Sequence, residues 1–228
     1  MNIDAIILSN APDLHYYGMT CRTINSLKNS DTFNEINITV VESQSRIEFE
    51  TAGLSYNSCE IIHPEQPFGY NKFLNIGLKN TNSEWVLICN NDLFFTKTWL
   101  TEAKKIIEQR PDIKSFSPRC PHWHLHQNIT EDIVEGCTVS NELCGWCILM
   151  HRSLIDTYQL FDEQFDFWYQ DDDYSMVLKT NNEKHALMGS SKVYHMISGS
   201  HGLLKEKHHE FTYAQQQKFI DKWKLNIH

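Results

Sequence analysis

Three groups of residues in this chain have the types and spacing to do chemistry. The first is the segment from Trp85 to Asp92, in which five apolar residues stop abruptly at Asn90, Asn91 and Asp92. An apolar run this short, with no polar residue on either alternate face, predicts a strand covered on both sides, as in a parallel sheet. In open α/β sheets, ligands bind outside the carboxyl ends of the strands. A hard cation holding a phosphate-bearing ligand takes oxygen donors in that place, so Asp92 is the first candidate for a functional centre. The competing account is a plain turn, because Asn and Asp are ordinary turn formers. The second group is the acidic triplet Asp171, Asp172 and Asp173. On a helix, consecutive side chains diverge by about 100°, so all three cannot face one substrate. Acids in a first helical turn are also stabilised by the helix dipole, which accounts for at least one of them. The third group is the CxxC pair Cys144 and Cys147, with Cys120, His122, His124 and His126 upstream. A zinc site or a redox pair is weighed against two facts: the CxxC does not open a helix as in thioredoxin-like patterns, and no second CxxC exists. His122, His124 and His126 alternate, so an extended segment would put them on one face of a cleft; an exposed polar loop is the plainer account.

These groups need elements to position them. Ile3 to Leu8 predicts a strand ended by Ser9, Asn10, Ala11 and Pro12, and about Tyr16 to Leu27 a helix. Ile36 to Val41 is a second strand with Glu42 at its tip, and Cys59 to His63 a short third. Gly69 to Leu78 reads as a loop leading into a helix, and Trp85 to Cys89 as the fourth strand. After Asp92 the pattern predicts a helix over Thr98 to Glu108 and a strand over Ile113 to Ser117. A long, partly extended loop follows from Arg119 to about Ser140. Then come a strand at Trp146 to Met150, short helices at Arg152 to Tyr158 and Asp172 to Lys179, a strand at Lys192 to His195, and a helix from about His209 to Trp223. Such alternation predicts an α/β, Rossmann-like, mostly parallel sheet flanked by helices.

Composition bounds the rest. A chain of 228 residues with 41% hydrophobic content can bury one sizeable core, and one domain is expected. The one segment resembling a signal core, Ala5 to Leu8, is far too short and has no basic start, so secretion is not expected. No apolar stretch approaches the length of a membrane span. Seven cysteines in that setting point to reduced thiols and a cytoplasmic location. A formal net charge of −9 argues against a protein that binds mainly by neutralising phosphate backbones.

The series of motifs resembles the family 2 glycosyltransferases, which have the GT-A nucleotide-sugar fold, from Ile3 to about Gly202. It runs through the polar turn after the first strand, Glu42 and Ser43, Gly69 to Gly77, and Asn90 to Asp92. It continues through Cys144, Gly145 and Trp146, then Phe161 to Glu163, Gln170 to Asp173, and Val193 to His195. The resemblance implies residues 1–95 as a nucleotide-sugar-binding half, 96–205 as an acceptor and catalytic half, and 206–228 as a terminal helix.

What it implies about the site can be stated residue by residue. Asp92 and His195 would hold a divalent metal, Mn²⁺ in preference to Mg²⁺ because a nitrogen ligand suits it better; His201 is the reserve ligand. Ser9, Asn10, Glu42, Asn71, Lys72, Asn90 and Asn91 would face the donor, with Glu42 on the nucleoside and Lys72 as a point cation near the diphosphate. Asn90 stands where the family commonly has an acid, which favours contact with sugar or ribose over the metal. Gln170 likewise replaces the usual glutamate of the Glu-Asp-any-Asp motif, so Asp171 is the expected general base, Asp172 its reserve. Trp146, Trp168 and Tyr169 are candidates for stacking on an acceptor sugar, with core packing an equally good account of each. The implied reaction is inverting transfer from a nucleoside-diphosphate sugar to an acceptor hydroxyl, hexosyl or pentosyl. A glycan is the expected acceptor; a modified DNA base is open but disfavoured by the charge. A nucleotidyltransferase would want a Gly-rich basic loop where Ser9 to Pro12 stand, whereas a binding domain without catalysis stays open because Asn90 and Gln170 are neutral.

Overall fold

The computed structural model describes residues 1–30, 35–127, 129–196 and 208–225, with 208–211 as backbone only. The chain opens β1 (Ile3–Ser9), α1 (Leu14–Ser30), β2 (Ile36–Glu42), α2 (Arg46–Thr51), β3 (Glu60–Ile62), α3 (Tyr70–Leu78) and β4 (Trp85–Cys89). It continues β5 (Leu93–Phe95), α4 (Trp99–Gln109), β6 (Ser115–Arg119), β7 (Ile133–Glu135) and β8 (Cys147–His151). Last come α5 (Arg152–Thr157), α6 (Gln170–Thr180), β9 (His185–His195) and α7 (His208–Trp223).

The strands form one sheet in the order β3-β2-β1-β4-β8-β6-β9-β5, with β7 also on β9. The pairings run β1, β2, β3, β4, β6 and β9 in one direction and β5, β7 and β8 in the other, so the sheet is mostly parallel as expected. β4 shows why its run is unbroken. Trp85, Leu87 and Cys89 enter one core with α1 and α4, while Val86 and Ile88 enter the other with α3, α5 and α6. A central strand covered by helices on both faces has no place for a polar side chain. Gly77 sets the depth of α3 on the sheet: a Cβ there would lie 2.7 Å from Ile6 and 3.2 Å from Val41.

The structure adds three elements to the sequence reading. α2 begins at Ser45, whose hydroxyl accepts from Glu48 N–H and donates to the Glu48 carboxylate. β7 lies inside the expected long loop. β5 follows Asp92 directly and pairs antiparallel with the end of β9, Leu93 opposite His195. β9 itself is eleven residues long, far beyond its expected four, because its first half is buried between β6 and β7. Residues 121–127 are a succession of turns, so the three histidines do not share a face: His124 is buried, His122 and His126 are exposed.

Candidate active site

The carboxyl ends of β1, β2, β4, β6 and β9 and the start of the antiparallel β8 line one edge of the sheet. Crossing that edge from β2 to β9 passes Glu42, Ser9, Asn90 to Asp92, Gly145 and Trp146, then the loop after β6, then His195.

The centre is made by the β5–β9 pairing. Asp92 and His195 are 103 positions apart in sequence, yet Met196 N–H donates to the Asp92 carbonyl at 2.9 Å. This places His195 Nε2 3.3 Å from Asp92 Oδ1. Both side chains are largely buried, and neither Asp92 Oδ1 nor His195 Nδ1 makes a hydrogen bond. A buried carboxylate oxygen without a hydrogen bond is costly. Two donors bonded to one ion at about 2.1 Å each lie roughly 3 Å apart, so this pair fits a shared divalent cation. Among the described residues no set of three or more His, Cys, Asp or Glu side chains converges on a metal position; such a cation would complete its shell with phosphate oxygens and water. His201 lies outside the described residues. A hollow of about 250 Å³ opens beside Asp92, bounded by Met19, Arg22, Phe94, Tyr194 and Met196.

Trp146 stacks on His195, ring centroids 5.2 Å apart at 19°. At 7% exposure it orients the imidazole and offers little face to a substrate. Asn90 N–H donates to the Trp146 carbonyl at 2.9 Å, which ties the β4 tip to β8. Its side-chain Oδ1 accepts from Tyr70 O–H at 3.2 Å. Burial pushes the Tyr70 hydroxyl well above its usual range, and the Asp171 charge adds to this. Asp171 itself rests against Gly145, where a Cβ would sit 2.8 Å from its carboxylate. Glycine is therefore required there for Asp171 to reach the edge. Burial, then the Asp172 charge, raise the Asp171 carboxyl to about 6. Asp172 is half-buried and raised by burial.

Asp173 belongs to the scaffold. It is fully buried and binds Lys222 Nζ at 2.9 Å and Trp223 Nε1 at 2.8 Å, both from α7. Lys222 also reaches Asp162 at 2.8 Å, so α7 straps the loop that precedes α6. Tyr169, just before α6, has φ +64°, a strained conformation for an aromatic residue. Its ring lies 5.3 Å from Phe219 of α7. Trp168 is half-buried and meets Phe167 edge-on.

The donor-facing candidates divide into two sets. Asn10 is exposed and Lys72 and Asn90 are half-buried. Ser9, Glu42, Asn71 and Asn91 are buried and hold the edge in shape. Ser9 Oγ lies 2.9 Å from Thr20 Oγ1 and 3.0 Å from the Tyr56 hydroxyl, and Asn91 Nδ2 donates to Thr20 Oγ1 at 3.0 Å. Asn71 Nδ2 donates to the Asp162 carbonyl at 2.8 Å, leaving its Oδ1 without a partner. Glu42 accepts from Ala11 N–H at 3.1 Å, Gln44 N–H at 2.9 Å and Tyr56 O–H at 2.9 Å. With no exposed surface, Glu42 knots the tips of β1 and β2 instead of presenting a carboxylate to a nucleoside. Glu42→Ala would take the acceptor from Ala11 N–H, Gln44 N–H and Tyr56 O–H, at a loss of about 2–4 kcal/mol. For a chain this size that is a drop of roughly 5–15 °C in melting temperature. A circular-dichroism melt unchanged by the substitution would refute this structural role. Tyr70, Gly145 and Thr20 have no role assigned from sequence; Tyr70 lies within the Gly69 to Gly77 motif and Gly145 in the middle of Cys144 to Trp146, whereas Thr20 carried no signal.

The mostly parallel α/β sheet flanked by helices, with these side chains at its carboxyl edge, is a fold of the GT-A class. The model for the family described as glycosyl transferase family 2 matches residues 16–159, more than half of the chain. The chain therefore belongs to that family. Among solved structures it is similar to S. aureus TarS 1-349, with a TM-score of 0.62, 17% identity and 85% of this chain covered. It is also similar to S. aureus TarS, with a TM-score of 0.61, 18% identity and 87% covered. The chain spans 60% and 37% of the length of those two chains, and the likeness at this identity is one of fold. No curated protein sequence matches it. Among the described residues no helix is long and apolar enough to cross a membrane.

Proposed function

We propose that this chain is an inverting, divalent-metal-dependent glycosyltransferase that moves a hexosyl or pentosyl group from a nucleoside-diphosphate sugar to an acceptor hydroxyl. The observation that carries this reading is the placing of Asp171, a carboxyl group raised to about 6, on the same edge as the Asp92–His195 pair, whose Asp92 Oδ1 and His195 Nδ1 make no hydrogen bond. A base near neutrality both holds its ionised form at pH 7 and accepts a proton readily.

Residues 1–95 then serve the donor and 96–205 the acceptor and catalysis, with α7 holding the catalytic loop. Asp92 and His195 hold the cation, Mn²⁺ before Mg²⁺ given the nitrogen ligand. The bound cation would supply charge neutralisation to the departing diphosphate. Asn10, Lys72 and Asn90 are the side chains open to the donor, Lys72 as a cation toward the diphosphate. Tyr70 O–H fixes Asn90 Oδ1, which turns the Asn90 amide N–H₂ to donate to a sugar or phosphate oxygen. Asp171 Oδ2 takes the proton of the attacking hydroxyl on the sugar face opposite the leaving group, which inverts the anomeric carbon. The seven free cysteines suit a reducing, cytoplasmic setting. A glycan is the favoured acceptor.

The test is release of nucleoside diphosphate from UDP-, GDP- and dTDP-sugars, with Mn²⁺ and with chelator. Turnover with at least one donor that chelator abolishes is expected. Donor binding without turnover in any combination would favour the binding domain that the neutral Asn90 and Gln170 leave open.

A further inference from the structure

The loop after β6 is built more rigidly than its sequence suggests. Burial pulls the His124 imidazole below its usual range, so the ring is neutral. Its Nδ1 accepts from Cys120 N–H at 3.0 Å and its Nε2–H donates to the Asn141 carbonyl at 3.0 Å. Gln127 Nε2 donates to Asn141 Oδ1 at 2.6 Å, and Trp123 Nε1 to the Ser140 carbonyl at 2.9 Å. These bonds staple residues 120–127 onto the turn before β8. Trp123 keeps 39% of its surface exposed with its only polar side-chain atom already bonded, so it offers solvent an apolar face. That ring stands 6.3 Å from His195 at 49°. Beside it His122 meets Tyr194 edge-on at 5.2 Å.

Position along the edge says which substrate this face serves. The β1 and β2 tips lie on one side of Asn90 to Asp92, and β6 with its loop lies on the other, past Gly145 and Asp171. With the nucleotide half of the donor over β1 and β2, the group that Asp171 deprotonates enters from the β6 side. We infer that Trp123 is the floor of an acceptor subsite that takes the C–H face of a pyranoside. Aromatic faces carry negative charge and receive the positive C–H edge of a ring. A nucleobase could stack on the same face, but the phosphates attached to it would meet a chain of net charge −9 and the Asp92 and Asp171 carboxylates. The subsite replaces Trp146 as the stacking candidate, since that ring is buried behind His195.

This inference rests on the transferase reading, and its test is chosen so that the two can fail apart. Saturation-transfer NMR on the whole chain, without donor, would use methyl glucopyranoside, methyl galactopyranoside, methyl N-acetylglucosaminide and thymidine. Transfer to the C–H protons of at least one glycoside is expected, with affinity falling about tenfold or more in Trp123→Ala, the loss of one good stacking contact. Trp123→Phe keeps a face but loses the bond to Ser140, and should stay within roughly threefold of the parent. Equal loss in both variants would show a structural role for the indole and overturn the subsite. So would unchanged binding in Trp123→Ala, no glycoside binding by the parent, or transfer confined to thymidine. Binding through Trp123 in a chain without turnover would refute the transferase and leave the subsite. Turnover whose acceptor KM is unchanged in Trp123→Ala would do the reverse.

Discussion

With Asp92 replaced by alanine, the metal-dependent part of donor binding disappears while the unliganded fold melts where the parent does. The second half of this expectation follows from what Asp92 holds. Its carbonyl keeps the bond from Met196 in the variant, and its side chain makes no hydrogen bond apart from the ionic approach to His195. Removing a buried, poorly partnered carboxylate relieves a desolvation penalty, so the change in unliganded stability stays within about 1 kcal/mol. Binding is different. A donor and Mn²⁺ at about a hundred times their dissociation constant stabilise the fold by about 2.7 kcal/mol, which for this size is a shift of roughly 5–10 °C. Chelator removes that shift in the parent; in Asp92→Ala it is absent from the start. Turnover falls by about a thousandfold or more, the worth of several kcal/mol of charge neutralisation at the leaving group. A thermal-shift screen over UDP-, GDP- and dTDP-sugars measures the binding. A metal-dependent shift that survives in Asp92→Ala would make the assignment of the metal to this pair wrong.

Why Asp92 could be found from sequence and its surroundings could not is a matter of length scale. The run from Trp85 to Cys89 is dictated by burial on both faces, a local property that any reader of the chain can see. The same holds for β1, β2 and the helices α3 and α4, whose apolar faces repeat over several turns. α2 was legible in principle, because Ser45 and Glu48 have the spacing of a capping box and Ser45 caps the helix. β5 and β7 were not. Each is three residues long, and each exists because β9 offers it an edge more than ninety or fifty residues later in the chain. The site inherits that limit. Resemblance could nominate His195, but only the β5–β9 register, Leu93 opposite His195, brings it to Asp92. Burial was the other hidden variable. Glu42 has the strand-tip position of a ligand, yet two backbone N–H groups and the Tyr56 hydroxyl, which no spacing rule connects, turn it inward. His122, His124 and His126 failed as one face because a turn cannot be told from a strand by alternation over five residues.

Asp171→Asn is expected to separate activity from stability in opposite directions. Asparagine cannot take the proton of the acceptor hydroxyl, so kcat falls by about a hundredfold to ten-thousandfold while donor binding is retained. Stability moves the other way. The carboxyl group titrates near 6 in the folded chain against an ordinary value of 3.8. An acid whose folded value is raised binds its proton more tightly in the folded state. The contribution of Asp171 to stability is therefore greatest below about pH 4, declines as pH rises through 4 to 6, and stays reduced above. Two units correspond to at most about 3 kcal/mol, lessened because Asp171 is not wholly shielded from water. Asp171→Asn should then melt higher than the parent at pH 7, by the equivalent of about 1–3 kcal/mol, and at the same temperature near pH 4. The groups that face Asp171 keep this window simple. Tyr70 on α3 and Cys144 before β8 are both pushed upward by burial and stay neutral through it, leaving Asp172 on its own helix as the one other carboxyl group among the described residues that interacts with it. In the parent, kcat/KM rises with pH through about 6 to a plateau, and this rise is lost in the variant. Asp172→Asn is the control. Should it abolish turnover while Asp171→Asn retains both turnover and the rise near pH 6, the proton goes to Asp172, and Gly145 holds open a space for a carboxyl group that only tunes its neighbour.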